Sequence, residues 1–287
     1  MSRSLPPGQV SACPSAAGGT SSWWPAVVVI KMKSKSSILG LLLLLTLAPL
    51  RMPAQTSALA PDFDRPVSWK SMLPNVGSDQ KKIWLFPAKL THRKYLIPTL
   101  AFLGATAALI ALDPHDAPPF RNTTAFNGFN NVFTGNVTVY GTVAAPAILY
   151  ATSFAIKDLK MRNTALLAAE AVGDSEILAT VLKDATKRVR PAAVGVGQSY
   201  SDTWFESSGS FLRGHGSFPS GHAIAAFSVA TVVARRYRNR KWVPYAAYGL
   251  AGAVAFSRLT LSAHFVSDVF VGGALGYSIS RFVVLRE

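Results

Sequence analysis

SFPSGHAIAAF, residues 217–227, is the stretch on which the reading of the whole chain turns. Pro219 and Ser220 are helix-start signals, and the run from Ala223 to Ala234 has the composition of a buried helix. His222 therefore falls in a first helical turn. There the unpaired backbone N–H groups and the positive end of the helix dipole favour an anion, and phosphate is the usual one. A histidine beside a bound phosphate can give or take a proton. The tetrapeptide alone serves equally well as a tight turn whose histidine caps or packs, so the decision rests on partners elsewhere.

Two other stretches supply partners. In KDATKRVRP, residues 183–191, Lys183 and Arg190 are seven apart, which is about two helical turns, so both cations are expected on one face before Pro191 ends the helix. A compact ammonium and a forked guanidinium together suit a phosphate dianion. In SRLTLSAHFVSD, residues 257–268, His264 and Asp268 have the spacing that stacks two side chains on one helical face. A carboxylate on one ring nitrogen fixes the tautomer and leaves the other nitrogen as a nucleophile. Arg258 adds another guanidinium. Taken singly, the first stretch reads as a solvated helix end and the second as a surface hydrogen bond.

Together they make a set. Lys183, Arg190 and Arg258, with the helix start at Ser220 and Gly221, offer cations and N–H groups for phosphoryl oxygens. His222 and His264 offer an acid and a nucleophile, with Asp268 behind one of them. No cluster at metal-ligand spacing competes with this set, and Cys13, the single cysteine, excludes a disulfide framework and a Cys-based metal site. No cofactor is expected.

The 287 residues carry 29 Lys and Arg against 14 Asp and Glu, a formal charge of +15. Five of those cations lie in the first 60 residues with no acid among them, which leaves +10 for the rest. Such an excess suits anionic partners, but long apolar runs separate the basic residues, a pattern that points away from nucleic acid. From Met32 the chain has a basic start, an apolar stretch from Ile38 to Ala48, and small residues around Ala58 and Ala60. That is the layout of a signal peptide over 32–60, with 1–31 as an upstream extension. An uncleaved anchor is the alternative. Residues 61–94 read as a linker or interfacial segment, and 95–287 as the functional domain.

Six apolar or small-residue segments follow, at roughly 95–112, 136–156, 164–182, 220–236, 242–260 and 264–285, several of them approaching the length that crosses a bilayer. Their connections alternate in charge: 89–94, 157–162 and 235–241 are basic, while 113–135 holds Arg121 alone. The positive-inside rule then puts 183–219 and 258–264 at the outer face of a six-span protein. A cleaved leader would invert that topology, and Glu170, Asp174 and Glu176 are costly in lipid. A periplasmic helical bundle resting on the membrane is therefore a second architecture. The Gly- and Ser-rich loop 192–218, with Tyr200, Trp204, Phe205 and Phe211, is expected to contact substrate.

K-x6-RP at 183–191, PSGH at 219–222 and SR-x5-H-x3-D at 257–268 resemble the three signature motifs of the type 2 phosphatidic acid phosphatase and vanadium haloperoxidase superfamily. They stand in family order with the family's internal spacings, over about 95–285, and no motif position departs. The resemblance implies an all-α bundle of about six core helices, membrane-embedded or membrane-associated, with its site facing the periplasm or exterior. It implies that His264 attacks phosphorus to form a phosphohistidine, Asp268 orients it, and His222 protonates the leaving oxygen and then activates water. Lys183, Arg190, Ser220, Gly221 and Arg258 would hold the phosphoryl oxygens, without a metal. The expected substrate is a lipid phosphate or diphosphate monoester. A secreted periplasmic acid phosphatase, a vanadate-dependent haloperoxidase and a non-catalytic phosphate binder are the competing functions.

Overall fold

Each of the six apolar segments becomes a helix, because each lacks the polar breaks and alternating pattern that would favour turns or strands. The computed structural model describes residues 67–195, 197–207 and 214–286, and no strand occurs among them. The signal-peptide reading of 32–60, the extension 1–31 and Phe211 lie outside the described residues. In chain order come α1 (Trp69–Trp84), α2 (Arg93–Arg121), a short α3 (Asn127–Val132), α4 (Gly135–Ala155), α5 (Leu159–Thr186), α6 (Gly221–Arg236), α7 (Trp242–Thr260) and α8 (Val266–Ser278), which runs on as a π-helical stretch Ile279–Val284. The fold is all-α.

Helix α6 is the axis of the bundle and packs against α5, α7 and α8. Its small residues make this possible: Ala223, Ala225, Ala226, Ala230 and Ala234 are all buried, so neighbouring helices approach closely. The closest approach is to α8. A Cβ on Gly272 would lie 2.6 Å from the Ser220 carbonyl oxygen, and one on Gly276 would collide with the Ile224 carbonyl, so two glycines a turn apart let backbone rest on backbone. Leu167, Ala168, Ala171 and Leu178 of α5 join Val232, Ile279 and Val284 in the main apolar core.

Helix α1 falls in the segment read as linker or interfacial. It turns polar groups inward: Asn75 donates to Glu170 at 2.9 Å and Gln80 to Asp174 at 3.0 Å. Those two carboxylates, costly in lipid by themselves, thus gain partners within the bundle. Outward, α1 presents Trp69, Leu73 and Trp84.

Among the described residues two helices, α2 and α4, are long and apolar enough by themselves to cross a membrane, and their most apolar windows are only 6% and 17% buried. α6, with 16 residues, is shorter than the roughly 20 that a bilayer core requires, α8 approaches that length only with its π-helical continuation, and α5 carries the acidic residues. A core helix of a water-soluble protein would be buried. α2 instead exposes Ile97, Leu100, Leu103 and Leu112, and α4 exposes Val139, Tyr140, Val143 and Phe154.

Candidate active site

The site forms at one end of the bundle, where α5 and α7 end and α6 and α8 begin. α5 stops at Thr186, before Pro191 is reached; Lys187 takes a left-handed conformation (φ 43°) and its N–H closes on the Lys183 carbonyl at 2.8 Å. The expectation of one helical face carrying both Lys183 and Arg190 therefore fails. Lys183 sits in the last turn of α5, while Arg190 follows the reversal, just ahead of a 3₁₀ turn at Pro191–Ala193.

Lys183 reaches beneath the start of α6. A Cβ on Gly221 would lie 2.9 Å from its Nζ and 3.4 Å from the Glu176 carboxylate, so a glycine there lets the ammonium approach the helix start. Ser220 caps α6 by accepting from the Ala223 N–H at 3.4 Å, and its own N–H donates to the Asp268 carbonyl at 3.0 Å. That second bond ties the starts of α6 and α8 together. The first-turn N–H groups of α6 have no acceptor within their own helix.

Arg258, in the last turn of α7, is buried and donates to the Phe133 carbonyl at 2.7 Å and to the Ser257 hydroxyl at 2.8 Å. His222 Nε2 lies 3.4 Å from the Gly135 carbonyl. The start of α4 thus braces an arginine and a histidine of the site. Burial first, then the neighbouring Arg258, His264 and Lys183, push the His222 imidazole down to about 3. It is neutral in that field of cations.

His264 precedes α8 instead of lying on it, so the one-face argument for His264 and Asp268 also fails. Asp268 stands in the first turn of α8 and reaches back, with Oδ2 3.6 Å from His264 Nδ1. That is too long for a hydrogen bond. Nδ1 instead donates to the Ser217 carbonyl at 2.7 Å. A carbonyl only accepts, so in the neutral ring Nδ1 carries the proton and Nε2 the lone pair. Burial pushes His264 below its ordinary value; Asp268 opposes this, and Arg190 and Lys183 add to it. For Asp268, burial raises, but His264, Arg188 and Ser217 more than offset it and hold the carboxyl below its usual range. The ring centroids of His222 and His264 lie 6.4 Å apart, with the ring planes tilted by 59°.

The eight residues named from sequence therefore gather around the starts of α6 and α8. Sequence reasoning missed Ser217, whose hydroxyl donates to Asp268 Oδ2 at 2.5 Å, and the carbonyls of Phe133 and Gly135. It also missed Arg188 and Asp113. Arg188 lay in plain view inside KDATKRVRP, but nothing in the spacing separates it from its basic neighbours. Of the loop aromatics, Tyr200 packs on Phe265 and Trp204 lies over Arg188 and against Phe218, while Phe205 is exposed. A small pocket beside His264 is lined by Asp116, Ala117 and Phe120 of α2 with Pro191, Leu259, Ser262 and Phe265. Among the described residues no group of three or more His, Cys, Asp or Glu side chains is arranged to hold a metal ion.

Two neighbouring imidazoles among three cations at a helix start are an arrangement chemically suited to a phosphoryl-like anion. Comparison with known proteins narrows this. The model of the PAP2 superfamily matches residues 164–286, the part of the chain that holds all three motifs. The chain is 39% identical over 66 residues to a lipid A 1-phosphatase of Porphyromonas gingivalis, a match covering 23% of this chain and 15% of that protein's length. Among solved structures it is similar to LpxE of Aquifex aeolicus, with 21% identity, a TM-score of 0.40, and 63% of this chain and 94% of that one covered. It is also similar to a transmembrane PAP2-type phosphatidylglycerolphosphate phosphatase of Bacillus subtilis, with 22% identity, a TM-score of 0.40, and 75% and 92% covered.

Proposed function

We propose that the protein is a membrane-bound phosphatase that removes a phosphoryl group from a lipid phosphate or diphosphate monoester through a phosphohistidine on His264. The observation that carries this reading is the neighbouring pair of imidazoles, His222 and His264, with Lys183, Arg190 and Arg258 close by. Binding alone would not call for a buried, neutral imidazole whose Nε2 lone pair is free to attack.

In the first step Nε2 of His264 forms a bond to phosphorus as the bond from phosphorus to the lipid oxygen breaks. The cations and the N–H groups of α6 take up the charge on the phosphoryl oxygens. The departing oxygen takes a proton from His222. That imidazole is neutral among the cations alone, and a phosphate monoester whose second ionisation lies near pH 6 can bring the proton with it as a monoanion. Bound phosphate then neutralises the positive field that had depressed His222. In the second step His222 takes a proton from water, whose oxygen displaces Nε2 from phosphorus and releases inorganic phosphate.

A lipid substrate is supported by the exposed apolar faces of α2 and α4. The name of the Porphyromonas relative points to the same substrate class. The basic connections at 89–94, 157–162 and 235–241 lie away from the site-forming helix ends, which supports a site on the outer side of the membrane.

The test is phosphate release by detergent-purified protein from lipid monophosphates, isoprenoid diphosphates and a soluble aryl phosphate, with a chelator present. Lipid phosphates are expected to be turned over, and His264→Ala to lower the rate by about a thousandfold or more while the protein stays folded. Near-normal activity at position 264 would remove the mechanism, preference for the aryl phosphate would favour a soluble acid phosphatase, and turnover abolished by the chelator would reject metal independence.

A further inference from the structure

Behind the His264–Asp268 pair lies a buried cluster centred on Arg188, which falls at an unspecified position of K-x6-RP. Arg188 is 1% exposed, and its two terminal nitrogens each hold a different carboxylate: Nη1 lies 2.6 Å from Asp268 Oδ1, and Nη2 lies 2.7 Å from Asp113 Oδ2. Its flat faces are covered by Phe265 at 3.9 Å and Trp204 at 4.4 Å, and its Nε donates to Thr203 at 3.3 Å. Asp113 comes from α2, outside the segment 164–286, and also accepts from the backbone and hydroxyl of Ser267.

The charges explain why two carboxylates are present. Asp268 presents Oδ2 to His264 while Oδ1 is bound to Arg188. An Arg188–Asp268 pair alone is neutral, and would offer little to an imidazole that becomes positive as it attacks phosphorus. Asp113 adds a second negative charge to the same guanidinium. The trio then carries a net −1 directly behind the ring, in surroundings where water does not screen it.

We infer that Asp113 and Arg188 are positioning residues of the active site, Arg188 aiming the Asp268 carboxylate and Asp113 restoring the negative charge that Arg188 would otherwise cancel. This rests on the phosphatase reading above. It assigns a role in the chemistry to α2, the helix that also exposes its apolar side.

The experiment uses the full-length protein in detergent and compares wild type, His264→Ala, Asp113→Asn and the double variant Asp113→Asn/Arg188→Met. Asp113→Asn keeps the side-chain shape and leaves the cluster neutral; kcat is expected to fall roughly tenfold or more with KM nearly unchanged. The double variant leaves Asp268 as the sole charge, again −1, and its kcat is expected to exceed that of Asp113→Asn. A purely structural role predicts the opposite order, since the double variant loses more contacts. Wild-type kcat in Asp113→Asn, or a double variant no better than the single, overturns the inference. Should Asp113→Asn fail to fold, the double variant alone decides, with a kcat as low as that of His264→Ala overturning it. Absence of phosphate release from wild type would instead overturn the phosphatase reading itself.

Discussion

Helices α2 and α6 are both rich in apolar residues, yet they live in opposite surroundings. Of the 29 residues of α2 only Thr106, Asp113 and Ala117 are buried; of the 16 of α6, ten are. Their compositions account for the difference. α6 is built from alanine, serine, threonine and glycine on the sides that meet α5, α7 and α8, and small side chains let three helices close around it. α2 carries its bulk outward as Ile97, Leu100, Leu103 and Leu112, where no helix covers it. Hydropathy reports that a segment avoids water, whereas side-chain size reports whether protein or lipid replaces the water.

The sharpest way to break this contrast is a matched pair of truncations followed by thermal unfolding in detergent. Ile224→Ala in α6 removes a fully buried side chain at the bundle axis and is expected to cost about 2–5 kcal/mol. A smaller effect is expected where backbones touch. Gly272→Ala puts a methyl group against the Ser220 carbonyl, and forcing α8 off α6 should cost about 1–3 kcal/mol and reduce activity with it, because Ser220 caps the helix at the site. The smallest belongs to Leu100→Ala in α2, expected to stay within about 0.5 kcal/mol of wild type. A Leu100→Ala cost equal to that of Ile224→Ala would mean that protein, not lipid, covers α2.

Much of the fold and of the site is legible in the amino-acid sequence. The six apolar segments became six helices, and Pro219-Ser220-Gly221-His222 opens α6 as its helix-start residues imply. The site residues stand out because their types are unusual at the ends of apolar runs. Their geometry does not. Helical spacing suggested that Lys183 and Arg190 share a face, and likewise His264 and Asp268, but in both cases the chain leaves the helix between them, at Lys187 and at Phe265. The seven-residue and four-residue intervals describe loops that fold back, for which periodicity has no rule. Asp113 was beyond reach for another reason: its partners Arg188 and Ser267 are 75 and 154 residues away, and no local pattern encodes a contact at that range. Hydropathy could not show that Glu170 and Asp174 of α5, costly in lipid by themselves, find partners on α1, a helix within the segment read as linker or interfacial.

The crossing of α8 over α6 at Gly272 carries one last consequence. Where two helices meet through side chains, each contact has rotamers to choose among; where they meet backbone to backbone, the separation is set by the width of the main chain. The hydrogen bond from Ser220 to Asp268 lies one turn from that crossing, so the segments bearing His222 and His264 are held in register with few degrees of freedom left. The entropy of ordering the cradle is then met during folding, before any substrate arrives, and an incoming phosphoryl group finds its partners already in place.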